Sequence, residues 1–103
     1  ISGGFNIYPK ELEEIIDNQA GILESAVIGL PHPDFGETPI AIVVQEHETK
    51  IDLESIMNNL KKSLARYKHP RRLIVTEQLP RNSMGKVQKN VLREAYKELF
   101  LKD

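Results

Sequence analysis

Leu79–Lys89 reads LPRNSMGKVQK and sets a lysine directly after a glycine, at Gly85 and Lys86. A lysine in that place can project its ammonium from a slim loop towards a phosphate or carboxylate, as a point charge. The stretch is not a P-loop, because no glycine stands at Leu79 or Pro80 and Val87 replaces the hydroxyl that would meet magnesium. The residues alone leave two readings for Lys86: a ligand-binding cation, or a solvated lysine close to a helix start. A helix start is mildly unfavourable for a cation, which points to another reason for the residue.

Other candidates carry less. Gly3 and Gly4 could let a backbone pass close to a narrow ligand, although a flexible linker at a domain edge is the better reading of the residues alone. Arg66, Lys68, Arg71 and Arg72 form a basic cluster around Tyr67 that could contact phosphates, or simply make a solvated loop. His32, His47 and His69 are scattered, and no pair has metal-ligand spacing. Glu37, after Gly36, reads as a strand start. No serine or histidine is paired by the sequence into a nucleophile and base.

Composition narrows the classes further. The chain has 103 residues, enough for one small domain, and a formal net charge of -1. That balance gives no overall electrostatic case for nucleic acid or an anionic membrane. Cysteine is absent, so disulfides and thiolate metal sites are excluded, in keeping with a cytoplasmic setting. No apolar run approaches the ~20 residues of a membrane span. The chain opens on Ile1 and without a signal-peptide pattern, as expected of a domain taken from a longer protein.

The elements that must position these residues follow from periodicity. A first helix is expected from Pro9, with Leu12, Ile15 and Ile16 on one face, Glu11, Glu13 and Glu14 in its early turns, and Gly21 ending it. ESAVIGL and IAIVVQ read as strands flanking a PHPDFGE turn. The second is a continuous apolar run, as in a central strand. They should form a hairpin with a loop longer than two residues. Asp52 is a good N-cap for a second helix carrying Leu53, Ile56, Met57, Leu60 and Leu64, closed by Pro70. RLIVTE is a third strand. Leu92, Ala95, Tyr96 and Leu99 mark a third helix. The order αββαβα predicts an α+β fold, a small mixed β-sheet with a central hairpin flanked by about three helices.

Taken together, SGGFNIYPKELEE, VIGLPHPDFGETPIAIVV and LARYKHPRRLIVTEQLPRNSMGKVQKNVLR resemble the C-terminal domain of the adenylate-forming enzymes. The likeness runs in order over essentially the whole chain. SGGFNIYP and PRNSMGKVQKNVLR are most similar to acyl-CoA synthetases, and the closing block to malonyl-CoA synthetases. The resemblance makes residues 1–103 a mobile C-terminal domain whose partner is its own N-terminal domain, absent from this chain with the hinge. It implies ATP and CoA as co-substrates, with Mg2+ bound mainly by that N-terminal domain, and a small carboxylic acid as acyl donor.

On that pattern Lys86 is the adenylation lysine and Gly85 keeps its loop slim at the adenylate. Gly3 and Gly4 line the pantetheine tunnel of CoA. Lys86 would also be a target for a lysine acetyltransferase and deacetylase, and the isolated domain would be inactive. Fatty-acid ligases are the same-class alternative; a stand-alone interaction or nucleic-acid-binding module is the alternative of a different class.

Overall fold

Two strands of unequal setting organise the chain. The computed structural model describes residues 7–46, 50–65 and 68–101. Its elements are α1 (Pro9–Asp17), β1 (Ile22–His32), β2 (Gly36–Gln45), α2 (Leu53–Ser63), β3 (Leu73–Thr76) and α3 (Lys89–Tyr96). The expected order and the α+β class are both found. β2 lies between β1 and β3; it pairs antiparallel with β1 (Ala26 opposite Ile42, Ile28 opposite Ile40) and parallel with β3 (Ala41 opposite Leu73). The sheet is therefore mixed, with α2 in the crossover that a parallel pair requires.

β2 is buried at every position from Thr38 to Val44. That burial explains its continuous apolar run, because both faces of the sheet are covered. Alternate side chains then supply two cores. On one side Val27, Ala41 and Val43 pack with Leu12 and Ile16 of α1 and Ile56 and Leu60 of α2. On the other, Ala26, Ile28, Leu30, Ile40, Ile42 and Val44 pack with Leu79 and with Leu92 of α3.

Pro9 does occupy the first position of α1, and the Asp52 carboxylate caps α2 by accepting from Ser55 N at 3.1 Å. Four boundaries differ from expectation. Helix α3 ends at Tyr96, so Leu99 lies in the turn beyond it while still packing on the α3 side of the sheet. Helix α1 ends at Asp17, and Gly21, at φ +86°, serves the turn into β1. Its carbonyl accepts from Glu46 N at 2.8 Å, so the left-handed residue closes the far end of the hairpin. The PHPDFGE turn shrinks to residues 33–35, because Pro31 pairs with Glu37 and His32 with Gly36. The loop is still longer than two residues, and Glu37 is in a strand. Helix α2 stops at Ser63, well before Pro70, where Leu64 turns extended and sends its side chain into the core.

Candidate functional site

The residues between β3 and α3 fold back on themselves. Arg81 and Val87 form an isolated antiparallel bridge, and Gln88 N donates to Pro80 O at 2.8 Å. Inside that bridge Asn82 N donates to Lys86 O at 3.0 Å and Gly85 N to Asn82 O at 2.9 Å. Gly85 has φ +82°, so a turn closed by a left-handed residue reverses the chain, a known way to build a three-residue hairpin loop. A Cβ on Gly85 would meet nothing within 4 Å, so within this domain glycine is required by the backbone angle rather than by space.

Asn82 stiffens the turn. Its Oδ1 accepts from Met84 N at 3.0 Å and from Lys86 N at 2.9 Å, which gives two loop amides a partner. Arg81 adds an outer brace: Nη1 donates to Gly85 O at 2.6 Å while Nη2 meets the Glu24 carboxylate of β1. Beneath the loop, Leu79 is buried and Val87 packs against the same core as Leu92. Both legs of the hairpin are thus rooted in apolar packing and its tip is polar. Met84 at the tip is 90% exposed.

Lys86 leaves this tip exposed to solvent. Among the described residues its side chain has no ion-pair or hydrogen-bond partner. Its neighbour Lys89, by contrast, meets Glu13 at 2.7 Å. A cation held on such a turn can meet an anion supplied from outside the domain.

The remaining candidates fall elsewhere. Gly3, Gly4, His47 and Arg66 lie outside the described residues. Lys68 pairs with Glu11 of α1 at 2.9 Å. The Arg71 guanidinium sits 4.3 Å from the Phe35 ring centre and that of Arg72 5.8 Å from Phe100. Three cations of the basic cluster are therefore engaged within the domain. His32 packs against Phe35 and Phe100, and its Nδ1 accepts from Asp34 N at 3.1 Å. His69 Nε2 lies 2.9 Å from Leu64 O. Among the described residues no group of three or more His, Cys, Asp or Glu side chains could hold a metal ion.

The sequence had marked Lys86 and Gly85 but not their supports. Asn82, three residues before a glycine, was a readable turn signal. Glu13 and Glu24 were not, since their partners lie far along the chain.

Residues 11–86, ending on Lys86 itself, match the family model of the AMP-binding enzyme C-terminal domain. The chain belongs to that family. As an AMP-binding enzyme C-terminal domain it is 46% identical over 96 residues to the long-chain-fatty-acid–CoA ligase FadD13 of Mycobacterium tuberculosis, covering 93% of this chain and 19% of that protein. It is 42% identical over 96 residues to the 2-succinylbenzoate–CoA ligase of Listeria monocytogenes, covering 93% and 20%. Its fold superposes on apo MatB from Rhodopseudomonas palustris with a TM-score of 0.93 and 53% identity, over 97% of this chain and 20% of that one. The chain thus spans about a fifth of the length of these relatives.

Proposed function

We propose that this chain is the mobile C-terminal domain of a cytoplasmic, ATP-dependent acyl-CoA synthetase of the malonyl-CoA synthetase kind. The observation that carries the reading is the exposed, braced Lys86, without a partner among the described residues, at the end of the family match. The reaction has two halves. A carboxylate oxygen attacks the α-phosphorus of ATP, forming an acyl-adenylate and expelling pyrophosphate. The sulfur of CoA then attacks the acyl carbon, and AMP leaves with the bonding electrons.

Lys86 serves the first half. Carboxylate and phosphate are both anions, and a cation fixed between them lowers their repulsion most where water is excluded. It also orients the two reactants. The role is electrostatic, so the ammonium keeps its protons. In the second half the domain turns another face to the N-terminal domain, and Gly3 and Gly4 leave room for the pantetheine arm. Lysine acetylation at the exposed Lys86 would remove the charge and silence adenylation. Finding Lys86 unmodified under every growth condition would count against that regulation.

The likeness to MatB favours malonate. The likeness to FadD13 favours a long-chain fatty acid as the second reading. The test is CoA-dependent AMP formation by the full-length protein across malonate and fatty acids of graded length. Preference for malonate supports the first reading, and preference for long chains replaces it with the second. No AMP from any acid overturns the ligase assignment. This domain alone should form none.

A further inference from the structure

Two charge pairs grip the legs of the Lys86 loop. Upstream, Arg81 joins Gly85 O to Glu24 of β1. Downstream, Lys89 meets Glu13 Oε2 of α1 at 2.7 Å, and the same oxygen accepts from Val27 N at 2.8 Å. Glu13 is therefore fixed to the β1 backbone while it holds Lys89. The Arg81 pair is the more telling, because one of its nitrogens reaches the carbonyl immediately before Lys86. A guanidinium holds its nitrogens in a rigid fork, so the Gly85 peptide is registered against β1 through one side chain.

We infer that Arg81, backed by Glu24, is a positioning residue for Lys86 in the adenylation step. This deepens the proposed function and rests on the role given there to Lys86. The Arg81 and Glu24 side chains are 44% and 30% exposed, and pairs in such settings contribute little to folding. Placement of a reacting group, in contrast, governs rate steeply. The pair should therefore show in turnover and hardly at all in the unfolding midpoint. Lysine at position 81 keeps the charge but cannot reproduce the two-pronged geometry, so it restores only part of the rate.

The experiment uses the full-length protein with ATP and the acid it turns over fastest. Pyrophosphate release reports adenylation, and supplied acyl-adenylate with CoA reports thioester formation. Arg81→Gln should lower kcat for adenylation roughly 10-fold or more, with KM little changed. Thioester formation and the unfolding midpoint should stay near wild type. Arg81→Lys should fall between, and Glu24→Gln combined with Arg81→Gln should be less than additive. Lys86→Ala is measured in parallel. If it loses adenylation while Arg81→Gln does not, the positioning role is wrong and the reading of Lys86 stands. If Lys86→Ala adenylates normally, that reading fails and takes this inference with it. Equal loss of both half-reactions in Arg81→Gln, with a lowered midpoint, makes Arg81 a structural residue and overturns the inference.

Discussion

The two sides of the sheet are covered in different ways. One is roofed by α1 and α2, whose Leu12, Ile16 and Leu60 are fully buried. The other is roofed by the short α3 and by the irregular loop before it, through Leu79 and Leu92, each of which keeps a little exposure. The first side is covered mainly by regular helices, although Ile56 and Leu64 there keep as slight an exposure as Leu79 and Leu92 do on the second. On the second, the same apolar contacts that cover β1 and β2 also root a loop whose tip must stay in solvent. Packing there does double service: it completes a core and it roots the loop that carries Lys86. The first side should then govern whether the domain folds, and the second what the folded domain can do.

Crossed substitutions separate the two. Leu60→Ala deletes a fully buried side chain and should cost about 2–5 kcal/mol of unfolding free energy, read from the denaturant midpoint. Turnover per folded molecule of the full-length protein should hold. Lys86→Ala removes an exposed side chain with no partner among the described residues, so the midpoint should not move. Adenylation should fall by about 10²–10³ in kcat, the usual effect of removing one preorganised charge-stabilising group. A Lys86→Ala variant that unfolds early, or a folded Leu60→Ala variant that adenylates poorly, would erase the division.

The division also explains what could be read from the sequence. The helices and strands of the first side announce themselves through Leu12, Ile16, Ile56 and Leu60 at helical spacing and through the apolar run of β2. Element ends were harder. Gly21 looked like a helix stop because its need for a positive φ is the same in a turn into a strand, and only tertiary pairing with Glu46 distinguishes the two. Pro70 looked like the end of α2, yet burial of Leu64 breaks the helix first. Lys86 was legible as a candidate cation, and the role proposed for it rests on the family likeness. Its brace was not, because Glu24 and Arg81 meet only once β1 and the loop are folded against each other.

A smaller effect sharpens the account of the loop. Gly85→Ala adds no clash, so its whole cost is the backbone angle, about 1–2 kcal/mol for an ordinary residue held left-handed. The strain can be relieved locally, by reshaping the turn, rather than by global unfolding. The expected outcome is a modest loss in midpoint and a larger loss in adenylation. Asparagine tolerates the left-handed region better than alanine, so Gly85→Asn should lose less of both. A loss of adenylation as large or larger in Gly85→Asn would mean that space against a partner domain, and not the angle, selects glycine.

The smallest expected effect lies where the brace meets the sheet. Partial burial raises the Asp17 carboxyl above the ordinary carboxylate range; the hydrogen bond donated by Ser25 Oγ at 2.6 Å opposes this, and nearby Glu13 and Glu24 add to the rise. The folded state therefore holds this proton more tightly than the unfolded chain. Asp17 favours folding while protonated, and that contribution is lost as pH rises from the ordinary carboxylate range through the raised value. Asp17→Asn removes the titration while leaving Ser25 an acceptor. Relative to wild type, the variant should gain stability as pH rises through that window and stay level above it, read as the difference between two denaturant midpoints across a pH series. Asp17 is exposed in its setting, so the gain should be small. A gain in the opposite direction would show that the Ser25 bond outweighs both burial and the neighbouring charges. The charges of Glu13 and Glu24 would then be offset by Lys89 and Arg81, which pair with them.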